Sequence, residues 1–105
     1  MEIHNELNPR SSSTHERDLA DFLIESFRWK YYLKGKLFVF LSNQELWVRV
    51  TIQGQEECHY RAMELAISRL EVFRASEDEG FKHHLAHQLE SLLVRNVHLQ
   101  PDDGV

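Results

Sequence analysis

Apolar residues near the start of the chain recur at helical spacing. Beyond a polar stretch that ends at Ser12, large side chains fall at steps of three and four residues up to about Phe27, which is the period of one helix face. Ser13 followed by Glu16 matches the capping box, in which each side chain accepts a hydrogen bond from the other residue's backbone N–H. The pattern predicts a helix that begins near Ser13, preceded by a flexible arm over residues 1–12.

The middle of the chain changes to patterns that are typical of β-strands. Aromatic and basic residues alternate over 28–33, a continuous apolar run occupies 37–41, and 46–52 alternates between apolar and other residues. Periods of two and short runs rich in β-formers both indicate strands. Turn-forming residues at 34–35 and 42–44 separate the three runs. Because the links are short, we predict a three-stranded antiparallel meander.

Two further helices are predicted after the meander. No strong helix breaker occurs before Gly80, and a second capping-box pair, Ser76 and Glu79, predicts that a third helix begins there and runs to about Val97. The residues predicted to share the inner face of the second helix are Cys58, Ala62, Leu65, Ala66, Arg69 and Phe73.

These elements have the order α-β-β-β-α-α, which predicts an α+β fold. A length of 105 residues and a hydrophobic fraction of 42% suit one domain with one core. We assign this domain to residues 13–99 and a flexible tail to residues 100–105, where proline, glycine and two aspartates occur.

The second predicted strand is apolar on both of its faces. Leu37, Val39 and Leu41 point one way, and Phe38 and Phe40 point the other way. A strand with one face in water alternates instead, so both faces of this sheet need cover. The first two helices can cover one face. For the other face, the sequence leaves the third helix and an external partner as equally open alternatives.

The sequence therefore predicts a partner-binding surface made of the second sheet face and the leucine stripe of the third helix. The stripe also matches a short coiled-coil seam, which favours another protein or a second copy of the chain as the partner. Such a protein would be an adaptor, an inhibitor or a regulatory subunit. The predicted partner-binding residues are Lys30, Tyr32, Phe38, Phe40, Trp47, Arg49, Leu85, Leu89 and Leu92.

Charge is distributed unevenly along the chain. Residues 1–27 carry a net charge of -4, residues 28–53 carry +4 and residues 54–105 carry -5, for a total of -5. The basic middle segment, with its aromatic residues, suits base stacking and phosphate binding. The acidic segments on either side would repel a polyanion. Nucleic-acid binding is therefore the second hypothesis, after protein binding.

The order α-β-β-β-α over residues 14–74 resembles that of double-stranded-RNA-binding domains. That family grips phosphates with a lysine cluster at the start of its last helix. The matching stretch here, Gln55 to Arg61, contains Glu56 and Glu57 and no lysine. The resemblance therefore implies an order of elements and not this mode of RNA binding.

No residue pattern indicates catalysis or a bound cofactor. His83, His84 and His87 have spacing that metal sites use, but Leu85 and Leu89 mark the buried side of the helix, so we expect His83 and His87 in solvent. Cys58 and His59 diverge by about 100° on a helix and do not face each other. We therefore expect a protein that is not an enzyme and binds no metal or other cofactor.

The single cysteine also bears on the compartment. One cysteine allows no internal disulfide, which favours a reducing environment. No window approaches the ~20 apolar residues of a membrane span, and the start of the chain does not resemble a signal peptide. We expect a cytoplasmic protein.

Overall fold

The protein combines helices with a mixed β-sheet. The computed structural model describes residues 2–28, 35–53 and 60–98, and within them three helices and a four-stranded sheet confirm the predicted α+β class. The elements in chain order are β1 (Glu2–Asn5), α1 (Thr14–Arg28), β2 (Gly35–Ser42), β3 (Glu45–Gln53), β4 (Tyr60–Ile67), α2 (Arg69–Glu77) and α3 (Glu79–His98).

The sheet has the strand order β1-β2-β3-β4, so neighbours in the sheet are also consecutive strands along the chain. Strand β1 is parallel to β2, whereas β2, β3 and β4 form an antiparallel meander. The two strands predicted at 37–41 and 46–52 form where expected. Of the strand predicted over 28–33, Arg28 instead ends α1, and residues 29–33 lie outside the described residues.

Residues 60–67 form a strand, so the helix predicted there is wrong. Strand β4 pairs with β3 along its whole length, with Met63 opposite Val50 and Leu65 opposite Val48. Its apolar residues at 63, 65 and 67 face the core, and this period of two is that of a strand. Residues 54–59, including Cys58, lie outside the described residues.

Helix α2 is therefore shorter than the predicted helix, and different residues of it face the core. It begins after Ser68, whose Oγ accepts a hydrogen bond from Glu71 N at 3.2 Å while Ser68 N donates to Glu71 Oε1 at 3.0 Å. Val72 and Ala75 are its buried residues. Phe73, which was predicted on the inner face, is 53% exposed.

The first residues of the chain belong to the sheet, whereas the sequence predicted a flexible arm over 1–12. Ile3 pairs with Leu37 in parallel register, and Glu6 N donates to Val39 O at 2.8 Å. The loop that follows β1 is also tied down, because Arg17 donates to Pro9 O at 2.7 Å. A strand of four mixed residues is too short to show a period, so the residue pattern does not indicate it.

One of the two predicted capping boxes is present. Ser13 N donates to Glu16 Oε1 at 2.7 Å, and Glu16 N donates to Ser13 Oγ at 3.1 Å, which confirms the predicted start of α1. The box predicted at Ser76 and Glu79 is wrong, because Ser76 lies inside α2. In its place, Asp78 Oδ1 accepts a hydrogen bond from Phe81 N at 3.2 Å in the first turn of α3.

All three helices lie on one face of the sheet. Leu23 of α1, Val72 of α2 and Leu89 of α3 belong to the same buried cluster as Val39 and Val48 of the sheet. The third helix therefore does not cover the second sheet face, so the first of the two alternatives left open by the sequence is wrong. Among the helices of the described residues, none has the length and apolar composition that crossing a membrane requires.

The order α-β-β-β-α is retained by α1, β2, β3, β4 and α2, although the third strand and the last helix lie later in the chain than predicted. The last helix of this series opens with Ser68, Arg69 and Glu71. It carries no lysine cluster there, so the phosphate-binding lysines of double-stranded-RNA-binding domains are missing at this position also.

Candidate functional site

The sheet face that points away from the helices is the candidate site, and we call it the outer face. Alternation along the strands gives it the side chains that do not enter the core. None of them is fully buried. The outer face consists of Glu2 and His4 on β1, Lys36, Phe38 and Phe40 on β2, Trp47, Arg49 and Thr51 on β3, and Ala62, Glu64 and Ala66 on β4.

Two large aromatic side chains form the centre of the outer face. Phe40 and Trp47 are register partners on β2 and β3, and their rings stack with centroids 6.4 Å apart and planes 6° apart. Trp47 Nε1 also donates to Ser42 O at 3.2 Å, which fixes the orientation of the indole. Rings held on paired strands lose little freedom on binding, so this pair is preorganised for contact.

A cation lies directly beside this aromatic pair. The guanidinium carbon of Arg49 is 5.1 Å from the centroid of the Phe40 ring, within the range of a cation–π contact. Arg49 Nε lies 3.3 Å from Glu64 Oε1, with the two side chains 43% and 38% exposed. The positive charge of Arg49 is therefore largely balanced by its neighbour on β4, and a polar ion pair borders the apolar centre.

Strand β1 extends the outer face on its other side. The imidazole of His4 stacks on the Phe38 ring at 4.8 Å with an interplanar angle of 15°. His4 Nε2 also lies 3.0 Å from Glu2 Oε1. The outer face thus has an aromatic strip three strands wide, with a carboxylate at each edge.

The structure brings together four of the predicted partner-binding residues and separates the others. Phe38, Phe40, Trp47 and Arg49 share the outer face, as predicted. Lys30 and Tyr32 lie outside the described residues. The predicted leucines are elsewhere: Leu85 and Leu89 are each 1% exposed in the core, and Leu92 is partly buried on α3.

Leu85 and Leu89 are therefore not exposed to a partner, because they lie in the buried cluster where α3 meets α1, α2 and β4. The stripe itself is completed by Leu93 and not by Leu92. Sequence analysis also missed His4 and Glu64. The alternation of residues 62–67 was a signal that could have placed Glu64 on this face, whereas no sequence signal marked His4.

A second surface lies on the helix side of the molecule. A groove of about 380 Å³ between the start of α1 and α2 is lined by residues that include His15, Arg69 and Phe73. Leu70 is 82% exposed on the same helix. Leu70 and Phe73 lie one turn apart on α2 and are exposed large hydrophobic residues, so this surface is a second apolar candidate.

His83, His84 and His87 of α3 are exposed, as predicted for His83 and His87. His83 Nε2 is 3.7 Å from Glu79 Oε2, and the His83 ring meets Phe22 edge-on at 5.1 Å. Within the described residues, no group of three histidine, cysteine, aspartate or glutamate side chains is close enough to hold a metal ion.

Comparison with known proteins adds no relative. No protein-family model matches the chain, and no match was found among curated proteins or solved structures.

Proposed function

We propose that this protein is a non-enzymatic interaction module that binds another protein chain through its outer face. The observation that supports this is the Phe40–Trp47 stack with Arg49 beside it, on a sheet face that no described helix covers. Tryptophan, aromatic residues and arginine are enriched among the residues that dominate binding energy at protein interfaces. Adaptor, inhibitor and regulatory-subunit roles all fit such a module.

Energetics favour occupation of this face. Covering a large apolar side chain contributes roughly 1.5–3 kcal/mol when burial is complete, and three aromatic residues lie together here. An apolar patch bordered by polar residues is a common mark of an interaction site.

Nucleic-acid binding is the alternative that the aromatic rings also support. Against it, the charges of the described outer face are balanced, with Lys36 and Arg49 opposed by Glu2 and Glu64. Phosphate binding needs an excess of cations. We expect a fluorescent single- or double-stranded RNA or DNA to show no salt-dependent anisotropy change at low salt. Salt-dependent binding that Arg49→Glu abolishes would support the alternative instead.

The protein-binding proposal can be tested by affinity capture with matched variants. Tagged, ¹⁵N-labelled protein is used as bait in an extract of the cells of origin, with nuclease added, and bound proteins are identified by mass spectrometry. The test variant Phe40→Thr/Trp47→Thr removes two aromatic side chains from the outer face and keeps good strand-forming residues. The control Leu70→Gln/Phe73→Gln removes two exposed apolar side chains from α2.

We expect the outer-face variant to lose a captured protein by about tenfold or more, as hot-spot truncations do, while the control retains it. Isotope labelling lets unlabelled copies of the same chain be distinguished from the bait. Equal capture by wild type and outer-face variant, or loss only in the α2 control, would contradict the proposal. Circular dichroism confirms that each variant is folded.

The place of action is proposed from the cysteine content. A chain with one cysteine has no need of an oxidising compartment, so we propose that the module acts in the cytoplasm. Fractionation of the source cells with an antibody against the chain tests this location.

A further inference from the structure

The outer face is complementary to itself. We propose that its partner is a second copy of this chain, bound face to face about a two-fold axis that runs parallel to the strands between β2 and β3. This inference rests on the proposed function of the outer face. It identifies the partner, and it commits to one arrangement of the two sheets.

The strand order determines what this axis brings together. An axis between the two middle strands places β2 of one copy over β3 of the other, and β1 over β4. Residues that are register partners stay in the same row, so each row of the sheet faces itself. Aligned sheets with a small twist angle are a common way for two sheets to pack.

The central rows are then apolar and aromatic. Phe40 faces Trp47 of the second copy, and Trp47 faces Phe40, because these two residues are register partners on the two middle strands. In the next row Phe38 faces Arg49 of the second copy. A guanidinium over a phenyl ring is a favourable cation–π arrangement, and Arg49 already adopts one with Phe40 in the single chain.

The charged positions are compatible with the same axis. Glu64 on β4 faces His4 of the second copy on β1, because both lie in the row of Phe38 and Arg49. Lys36 faces Thr51, and Glu2 faces Ala62. No two like charges lie directly opposite. A symmetric interface requires this self-complementarity, whereas a surface evolved for a different protein has no need of it.

The area of the face sets the expected strength. The four residues of β1 and the eight or nine of each other strand, at ~3.3 Å per residue and about 4.8 Å between strands, give about 450 Å² per copy. The pair then buries on the order of 900 Å², which is in the range of weak, transient interfaces. We therefore expect a reversible dimer with a dissociation constant on the order of micromolar.

Sedimentation equilibrium over a concentration series tests the proposal on the full chain. We expect the mass of the wild type to rise from that of one chain to twice that value as concentration increases. Phe40→Thr/Trp47→Thr is expected to weaken the association by about tenfold or more. The Leu70→Gln/Phe73→Gln control is expected to behave as the wild type, and Glu64→Lys is expected to weaken association by removing the carboxylate that faces His4 of the second copy.

Two results would overturn the inference. A wild type that stays a single chain at several hundred micromolar has no second copy as its partner. A dimer that Phe40→Thr/Trp47→Thr leaves unchanged is formed through another surface. In both cases, the affinity capture still tests the proposed function, which is supported if the outer-face variant loses a captured foreign protein. Failure of the dimer is therefore distinguishable from failure of the proposed function.

Discussion

Two consecutive residues with left-handed backbone close the β2–β3 hairpin. Asn43 has a φ of 52° and Gln44 a φ of 64°, which is the backbone of the two-residue turn whose twist matches that of the strands. Asparagine tolerates this region, whereas glutamine is strained there by its Cβ. The turn holds Trp47 in place through Ser42, so its strain lies close to the outer face.

Replacing Gln44 with glycine is expected to stabilise the protein. Glycine adopts positive φ without steric cost, so Gln44→Gly should raise the free energy of unfolding by about 0.5–1 kcal/mol. The control is the same substitution at Gln88, an exposed residue inside α3, where it should lower that free energy by about 1 kcal/mol. Urea denaturation of both variants measures the two changes. If both substitutions lower the free energy of unfolding, the turn is unstrained.

Gly35 is required by close approach between strands. A Cβ at this position would lie 2.1 Å from Thr51 O, which is backbone of β3. We expect Gly35→Ala to destabilise the protein by about 2 kcal/mol or more, because the start of the β2–β3 ladder must separate.

Gly80 gives the matched control for Gly35. A Cβ there meets only the exposed carboxylate of Asp78 at 3.2 Å, and alanine favours the helix. Gly80→Ala should therefore change stability by less than about 1 kcal/mol. Thermal unfolding of the two variants compares them, and similar losses in both would refute the close approach at Gly35.

At the scale of elements, helix starts are set by their caps. Ser68 and Glu71 form the capping box of α2. We expect Ser68→Ala to lower the free energy of unfolding by about 1 kcal/mol, within the range of 0.5–2 known for such caps. Ser76→Ala is the control, since Ser76 caps no helix. Chemical denaturation gives both values, and a larger loss at Ser76 would reinstate the box that the sequence alone suggested.

The elements that the sequence predicted correctly are those in which local preference and tertiary environment agree. The strands at 37–41 and 46–52 are rich in β-formers, and both form in the sheet. Strand β4 was missed because alanine, methionine, glutamate and leucine favour helices. Pairing with β3 and burial of Met63, Leu65 and Ile67 outweigh that preference.

The site was predictable to the extent that it depends on alternation along single strands. That alternation put Phe38, Phe40, Trp47 and Arg49 on one face. Which helices cover the other face, and which leucine completes the stripe of α3, depend on how the helices pack. A step of three or of four residues from Leu89 serves the helical period equally well, and packing selects Leu93.

At the scale of the whole molecule, the first strand ties the start of the chain to the middle of it. Ile3 and Leu7 pack against the core as partly buried residues, and β1 pairs with the edge of β2. A chain that lacks residues 1–12 should therefore lose about 2–3 kcal/mol and aggregate, because an apolar strand gains an unpaired edge.

The control for that deletion is a chain that lacks residues 100–105, for which the predicted tail implies little change. Thermal unfolding and light scattering at equal concentrations measure stability and aggregation in both. If residues 1–12 formed an arm without structure, neither deletion would change stability or aggregation. Retention of full stability after removal of residues 1–12 would thus contradict the role of β1.

The place of β1 in the chain also matters while the protein is being made. The ribosome produces a chain from its amino end, so Glu2–Asn5 have been synthesised before the first residue of β2. Strand β1 is therefore available to pair with one edge of β2 as soon as β2 is synthesised. Only the other edge, which pairs with β3, depends on residues that are synthesised later. If β1 were instead the last strand to be synthesised, this edge of β2, the most apolar strand of the sheet, would stay unpaired until translation ended.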